Sequence, residues 1–412
     1  MNALLLHWRM RPLKWLPLVL LAIQLTVLFW RFDLWKGLWG ETGANGMASV
    51  LYTGGIAAAA AAWTVSLRRK DAEINEQLTC SPKAAWQAEL PRMAALVVGV
   101  LGAYLAGQAV AFAVTATSWP AGIGLYLGYV ALGMAALIIA CAWGWALGML
   151  FNQAWGPALA ILGWLASYLA LGSNLVVIQG PARWEVVPWA PALYALAACA
   201  LLALCLRLTW FEEAPRRRFA LRAGLLAGGL ALSAAVTSVP AVADRDPEGQ
   251  ARCIGVKDVE TLVCLWPEEE KYYPMAIEVL DRLAATDVGL TDAKRVYSYG
   301  HLYDERNHWY YGDFDLDNGS QWEIADGLAA ATLEATFAGC DSDPDDLTPS
   351  KLESWLEKRL AGGGKTPYTI EGARKEILAA IKDGRTAADL PEREQSEWAR
   401  SLITAYKSRH CD

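Results

Sequence analysis

The sequence predicts a polytopic all-α membrane bundle of about seven transmembrane helices, followed by a small α+β extracytoplasmic domain with disulfides. Apolar residues make up 55% of the 412 residues and charged residues only 19%, which is too apolar for an ordinary soluble protein. The charges also divide unevenly. Residues 1–243 hold 16 Lys and Arg against 9 Asp and Glu, whereas residues 244–412 hold 20 against 34. The sequence therefore predicts a transmembrane domain over 1–243 and an extracytoplasmic domain over 244–412.

This composition excludes a soluble cytosolic enzyme, a collagenous chain and a disordered chain. Nucleic acid is also excluded as a partner, because phosphates require a basic surface and the polar part of this chain is acidic. The lipid bilayer is the first expected partner.

Seven apolar runs are long enough to cross about 30 Å of hydrocarbon. None of them has a charged residue near its centre, and Gln24, Gln108 and Asn174 are their main polar residues. Trp residues stand near many of their ends, where the amphipathic ring favours the head-group level. The runs are about 13–30, 47–67, 93–118, 121–151, 155–178, 188–211 and 219–243.

Basic residues predict the orientation of the bundle, because short loops rich in Lys and Arg stay cytoplasmic. The N-terminus and the second and sixth loops together carry 13 Lys and Arg, whereas the loops on the other side carry 3. The N-terminus is therefore expected in the cytoplasm. With seven spans, the C-terminal domain of this plasma-membrane protein is expected outside.

The cysteines agree with that orientation. Cys253, Cys264, Cys340 and Cys411 all follow the last apolar run, and an even set of cysteines in an oxidising compartment is typical of disulfides. Three pairings are possible. We favour Cys253 with Cys264, as closure of a short hairpin, and Cys340 with Cys411, which would tie down the C-terminus.

Two cytoplasmic segments carry a family resemblance. Residues 2–10 place Leu4, Leu5 and Trp8 on one side of an interfacial helix, and the loop 68–92 predicts two short helices. This loop begins with the basic sequence Arg-Arg-Lys-Asp-Ala-Glu-Ile-Asn-Glu-Gln-Leu-Thr-Cys-Ser-Pro-Lys. Over residues 1–213, the layout resembles the membrane subunit of an ABC-2-type exporter. The seventh span and the outer C-terminus depart from the six-span pattern of that family.

The resemblance implies a separate cytoplasmic ATP-binding subunit as a partner. A second membrane subunit or a second copy of the chain is a further candidate partner. The surface that would meet the ATPase is predicted at Arg68, Arg69, Lys70, Asp71, Glu73 and Glu76.

The chain carries no ATP site of its own. Gly362-Gly363-Gly364-Lys365-Thr366 is the nearest approach to a Walker A motif, but Arg359 stands where the motif needs Gly. We interpret the segment as a flexible linker and expect no cofactor.

The sequence of the acidic domain predicts both helices and strands. Helices are expected at about 272–285, 321–338, 349–361, 370–383 and 391–409, and strands near 260–266, 294–300 and 309–316. The run Val263-Cys264-Leu265-Trp266-Pro267-Glu268, together with the final cysteine, resembles ectodomains on actinobacterial membrane proteins of unassigned function. That resemblance implies no mechanism.

A metal site is the main chemical candidate in this domain. His301, Glu305 and His308 fall at i, i+4 and i+7, so on a helix they would share one face with ligand types suited to zinc. Surface histidines in a polar loop are the favoured alternative, because tyrosines and Gly300 around them favour strands and loops. The run Asp313–Gly319 imitates a calcium loop, but its glycine and glutamate are misplaced, and a hairpin turn at Asn318-Gly319 accounts for it.

Three functions remain open at this level. The first is a permease-like subunit of an ATP-driven export complex, because the spans lack the ionisable residues that ion-coupled transporters use. The second is a sensor or immunity protein that binds a ligand with its ectodomain. The third is a membrane-anchored metal-dependent hydrolase, which the absence of His-Glu-x-x-His and of a nucleophile constellation disfavours.

Overall fold

A computed structural model describes residues 14–30, 32–70, 85–117, 119–151, 153–171, 184–208, 216–245, 250–298, 314, 316, 320–341, 343, 345–364, 366 and 374–411. The chain divides into two units, Met1–Asp244 and Arg245–Asp412. We refer to them as the membrane unit and the acidic unit. This division falls one residue after the boundary expected from the sequence.

The membrane unit consists of helices and one short pair of strands. Its elements are α1 Leu16–Trp30, α2 Phe32–Trp35, α3 Trp39–Ala48, α4 Val50–Lys70, α5 Ala85–Thr115, α6 Ile123–Leu150, α7 Trp155–Leu171, β1 Trp184–Val186, α8 Ala190–Leu208, α9 Arg216–Thr237 and β2 Val242–Asp244.

Four apolar helical stretches are long enough to cross a bilayer: Trp39–Leu67, Glu89–Thr115, Ile123–Leu150 and Ala190–Leu208. Three shorter apolar helices cover Leu16–Trp30, Trp155–Leu169 and Ala223–Thr237. At 1.5 Å per residue, the 15 residues of α1 span only about 22 Å. The chain is therefore a helical protein with four candidate spans, and seven crossings stay a prediction.

Helix α6 forms the centre of the membrane unit and contacts α3, α4, α7 and α8. Its approach to α4 is very close. A Cβ atom built on Gly144 would lie 2.0 Å from the carbonyl oxygen of Ala58, and one on Gly148 would lie 2.5 Å from that of Ala62. Backbones can approach this closely only where both helices carry small residues, so the pairing of α4 with α6 depends on these two glycines.

The two strands of the membrane unit pair antiparallel, with Glu185 opposite Ala243. The pairing continues where Val187 N donates to Ala241 O at 2.9 Å. Two tyrosine hydroxyls from the helices hold this ribbon. Tyr129 donates to Trp184 O at 2.9 Å, and Tyr194 donates to Val239 O at 2.6 Å.

The acidic unit combines a small sheet with five α-helices among its described residues. Its elements are β3 Arg252–Ile254, β4 Leu262–Leu265, a 3-10 helix Pro267–Tyr272, α10 Tyr273–Ala284, β5 Arg295–Tyr297, α11 Gln321–Thr336, α12 Thr348–Leu360, α13 Lys375–Ala387 and α14 Glu392–His410. β4 lies in the middle of the sheet, antiparallel to β3 and parallel to β5.

Both disulfides form in the favoured pairing. Cys253 and Cys264 face each other in the register of β3 and β4, so their bond closes the hairpin. Cys340 bonds to Cys411 over a sequence separation of 71 residues. Beside this second bond, Asp341 N donates to His410 O at 2.7 Å. The C-terminus is thereby fixed to the end of α11, as the sequence predicts.

A buried ion pair begins the acidic unit. The guanidinium of Arg245 bonds to the carboxylate of Glu268, and both side chains are 5% exposed. The same guanidinium lies 4.0 Å from the ring centroid of Trp266, within the range of a cation–π contact. Glu269 Oε2 accepts from Trp266 N at 3.0 Å. Arg245 Nε also donates to Gln250 Oε1 at 3.3 Å. The side chain of Arg245, the first residue after β2, is thus held by Glu268, Trp266 and Gln250.

Candidate functional site

The membrane unit buries a row of uncharged polar side chains among its apolar helices. On α5, Tyr104, Gln108 and Thr115 recur at i, i+4 and i+11, which places them on one face of the helix. Neighbouring helices add further polar groups to this face. The complete row, which we call the polar seam, consists of Gln24, Thr42, Tyr104, Gln108, Thr115 and Tyr126, all of them buried.

Gln24 joins α1 to the seam. Its Nε2 donates to Tyr104 O at 3.1 Å, and its side chain lies directly over Gly107, where a Cβ atom would approach Gln24 Cδ to 2.4 Å. A residue larger than glycine at 107 would therefore displace this amide. The sequence singles out Gln24 as one of the few polar residues in the spans, and the structure shows its partner.

Gln108 occupies the middle of the seam. Its main-chain carbonyl oxygen accepts from Tyr126 Oη at 2.8 Å, and its side chain packs against Gly46 of α3. Among the residues that the structure describes, the amide atoms of Gln108 and the hydroxyl of Tyr104 have no hydrogen-bond partner. Burying a polar atom without a hydrogen-bond partner costs free energy of folding. These atoms could instead form hydrogen bonds with a polar group that enters the apolar bundle.

The far end of the seam joins α3 to α5 through two hydroxyls. Thr42 Oγ1 lies 2.7 Å from Thr115 Oγ1 and also 2.7 Å from Leu38 O. Hydroxyls both donate and accept, so this contact satisfies both side chains without any charge.

The seam has no carboxylate, histidine or lysine. The whole stretch 93–182 lacks Lys, Arg, Asp, Glu and His. The acidic residue at the start of α5, Glu89, is 3% exposed and accepts from Arg92 Nη1 at 3.3 Å, which neutralises it at the end of the span. The arrangement can bind polar groups by hydrogen bonds, but it offers no proton relay and no acid–base pair.

The predicted site residues have different outcomes. His301, Glu305 and His308 lie outside the described residues, and within the described part of the chain no group of His, Cys, Asp and Glu could hold a metal ion. The structure describes only part of the predicted ATPase-facing segment. Arg68, Arg69 and Lys70 form the last residues of α4, whereas Asp71, Glu73 and Glu76 lie outside the described residues.

Sequence reasoning identified Gln24 and Gln108 but missed Thr42, Tyr104 and Tyr126. A hydroxyl in an apolar run is not by itself a signal, since it commonly bonds its own helix backbone. The informative signal is a glycine that faces the polar residue. Gly46, Gly107 and Gly133 each face a seam side chain, which becomes visible only when the helices are paired.

No family of known proteins, no curated protein and no solved structure matches this chain.

The acidic unit has a separate group of carboxylates. Glu353 and Glu357 lie one turn apart on α12, beside Asp326 of α11. Burial, and next the charge of Asp326, raise the pKa of Glu353 to about 7. The same two causes raise the pKa of Glu357 to about 7, although its Oε2 accepts from Arg385 Nη2 at 3.3 Å. These carboxylates destabilise the unit when they are ionised.

We therefore expect the acidic unit to become less stable as the pH rises. Because the pKa of Glu353 is raised from 4.5 to about 7, its contribution to the free energy of unfolding is fully present below 4.5 and lost by about 7. Glu353→Gln should raise the midpoint temperature by about 3 °C at pH 8 and leave it unchanged at about pH 4, below the unfolded-state pKa. Calorimetry of the full chain in detergent measures this.

The matched control is Glu376→Gln, at an exposed position on α13. This substitution should leave the midpoint temperature of unfolding unchanged at both pH values. A decrease in the midpoint for Glu353→Gln at pH 8, or equal shifts at both pH values, would contradict the electrostatic explanation.

Proposed function

We propose that the chain is a permease-like membrane subunit of an export complex, and that a separate subunit hydrolyses ATP for it. The observation that carries this proposal is the polar seam: a row of buried, uncharged groups inside apolar helices. Such a row can contact polar parts of a substrate while the surrounding helices rearrange. It contains no group that could bind and release a driving ion, so the energy for movement must come from a partner.

The proposed arrangement has seven crossings, with the N-terminus in the cytoplasm and the acidic unit outside. The excess of basic residues in the N-terminus and in the second and sixth loops supports this orientation. The two disulfides of the acidic unit support it independently, because structural disulfides persist in oxidising compartments. In this arrangement the end of α4 is cytoplasmic.

The proposed contact with the ATPase is the end of α4 and the residues that follow it. Arg68, Arg69 and Lys70 continue a helix that packs along α6 and α7. A displacement of this end is therefore transmitted directly into the bundle. A membrane subunit that is moved by a cytoplasmic ATPase needs such a continuous helix between the contact surface and the bundle.

The test is purification of the tagged full chain in mild detergent, with ATP hydrolysis as the measurement. We expect an ATPase to copurify, and the triple variant R68E/R69E/K70E to lower the recovered activity at least about ten-fold, as loss of a desolvated charged contact does. The control variant Lys375→Glu changes an exposed residue of the acidic unit and should retain the activity.

Repeated recovery of the chain without any ATPase would contradict the proposal. So would equal ATPase recovery from the triple variant and from the control. Protease added to intact cells should cut the acidic unit, and its protection would overturn the proposed orientation.

A further inference from the structure

A groove of about 380 Å³ lies in the surface of the membrane unit, within the size range of ligand sites, about 300–1,000 Å³. Helix α1 supplies Thr26 and Trp30 to its wall, α3 supplies Asn45 and Ala48, and α4 supplies Tyr52. The groove is separate from the polar seam, since none of its lining residues belongs to the seam.

Two aromatic residues fix the level at which the groove opens. Trp30, the last residue of α1, is 85% exposed, and Tyr52 is 56% exposed. Exposed Trp and Tyr on membrane helices favour the boundary between hydrocarbon and head groups. The mouth of the groove is therefore placed at this boundary, with apolar surface below it for a hydrocarbon chain.

The polar atoms in the groove are hydrogen-bond acceptors. Asn45 is 9% exposed, and its Nδ2 donates to Glu41 O at 3.0 Å and to Glu41 Oε2 at 3.4 Å. Its Oδ1 has no partner within the described part of the chain. Thr26 Oγ1 donates to Ala22 O at 2.9 Å, which leaves its lone pairs available.

We propose that this groove binds one bilayer lipid whose head group donates hydrogen bonds, as the ammonium of phosphatidylethanolamine does. A primary ammonium has three N–H donors, which complement the Asn45 Oδ1 acceptor in the wall of the groove. The quaternary ammonium of phosphatidylcholine has no N–H and cannot make these bonds. The inference depends on membrane insertion of α1, α3 and α4, and not on the proposed export function.

The experiment uses the full chain in nanodiscs that contain either lipid with the same photoactivatable acyl chain. Mass spectrometry then quantifies crosslinks to peptides that contain Thr26–Trp30 and Asn45–Tyr52. We expect phosphatidylethanolamine to label these peptides about five-fold more than phosphatidylcholine, the preference that one net hydrogen bond provides. Asn45→Leu keeps the side-chain size but removes the acceptor, and should abolish the preference.

Two controls separate a site from general lipid contact. Leu169 is 82% exposed, and its peptide should be labelled equally by both lipids. Ala48→Trp fills the groove and should remove the groove crosslinks, whereas Leu196→Trp on the exposed face of α8 should not. Equal labelling of the groove by both lipids, a preference that survives in Asn45→Leu, or groove crosslinks that persist in Ala48→Trp would overturn the proposal.

Discussion

Replacing Gly144 with alanine is expected to destabilise the membrane unit by about 3 kcal/mol, at the upper end of the usual cost of overpacking. The added methyl group would lie 2.0 Å from the carbonyl oxygen of Ala58. That neighbour is backbone within α4, so it cannot rotate away as a side chain could. The two helices must separate, and the packing along their whole contact is weakened. A lower thermal midpoint of the full chain in detergent measures the effect.

The control for this substitution is Gly224→Ala on α9. A Cβ atom at Gly224 meets no atom within 4 Å, and alanine is the better helix former by about 1 kcal/mol. We expect this variant to match or exceed the stability of the parent chain. Equal midpoints for the Gly144 and Gly224 variants would contradict the close packing of α4 with α6.

Removal of the Cys340–Cys411 disulfide is expected to destabilise the acidic unit by about 4 kcal/mol, because the bond closes a long loop in the unfolded chain. The sequence separation is 71 residues, against 11 for Cys253–Cys264. The shorter loop should therefore contribute less, about 3 kcal/mol. The measurement is the unfolding midpoint of the full chain carrying C340S/C411S or C253S/C264S.

Cys199→Ser provides the control for the loss of a sulfur atom, because Cys199 is free and exposed. It should leave unfolding of the acidic unit unchanged. If C253S/C264S proved more damaging than C340S/C411S, the loop-entropy explanation would be wrong, and local packing of the β3–β4 hairpin would dominate.

The sequence predicted the local elements well because hydrophobic period and length determine them. Four of the five helices of the acidic unit begin and end within two residues of the predicted bounds, whereas α13 begins five residues and ends four residues later than the predicted 370–383. The cysteine pairing was also predictable, since a hairpin brings Cys253 to Cys264 and the end of the chain is left for Cys340. The helices and the Cys253–Cys264 pairing depend on short stretches of chain, and the pairing of Cys340 with Cys411 is the one that then remains.

Other features could not be predicted because they depend on how helices pair. Helix α3, over Trp39–Ala48, contains three glycines and an acidic residue, and its composition gave no helical signal. It forms because α6 and Gln108 pack against those glycines. The polar seam and the groove arise from the same pairing, so neither the partners of Gln108 nor the role of Asn45 is visible in the linear sequence.

The short ribbon of β1 and β2 has a mechanical consequence for the membrane unit. It joins the segment before α8 to the segment after α9 through the hydrogen bond from Val187 N to Ala241 O, and the Tyr194 hydroxyl bonds α8 to the same segment after α9. The ribbon and Tyr194 thus link α8 and α9 at this end, which restrains their movement relative to each other. We therefore expect α8 and α9 to move together in any rearrangement of the membrane unit.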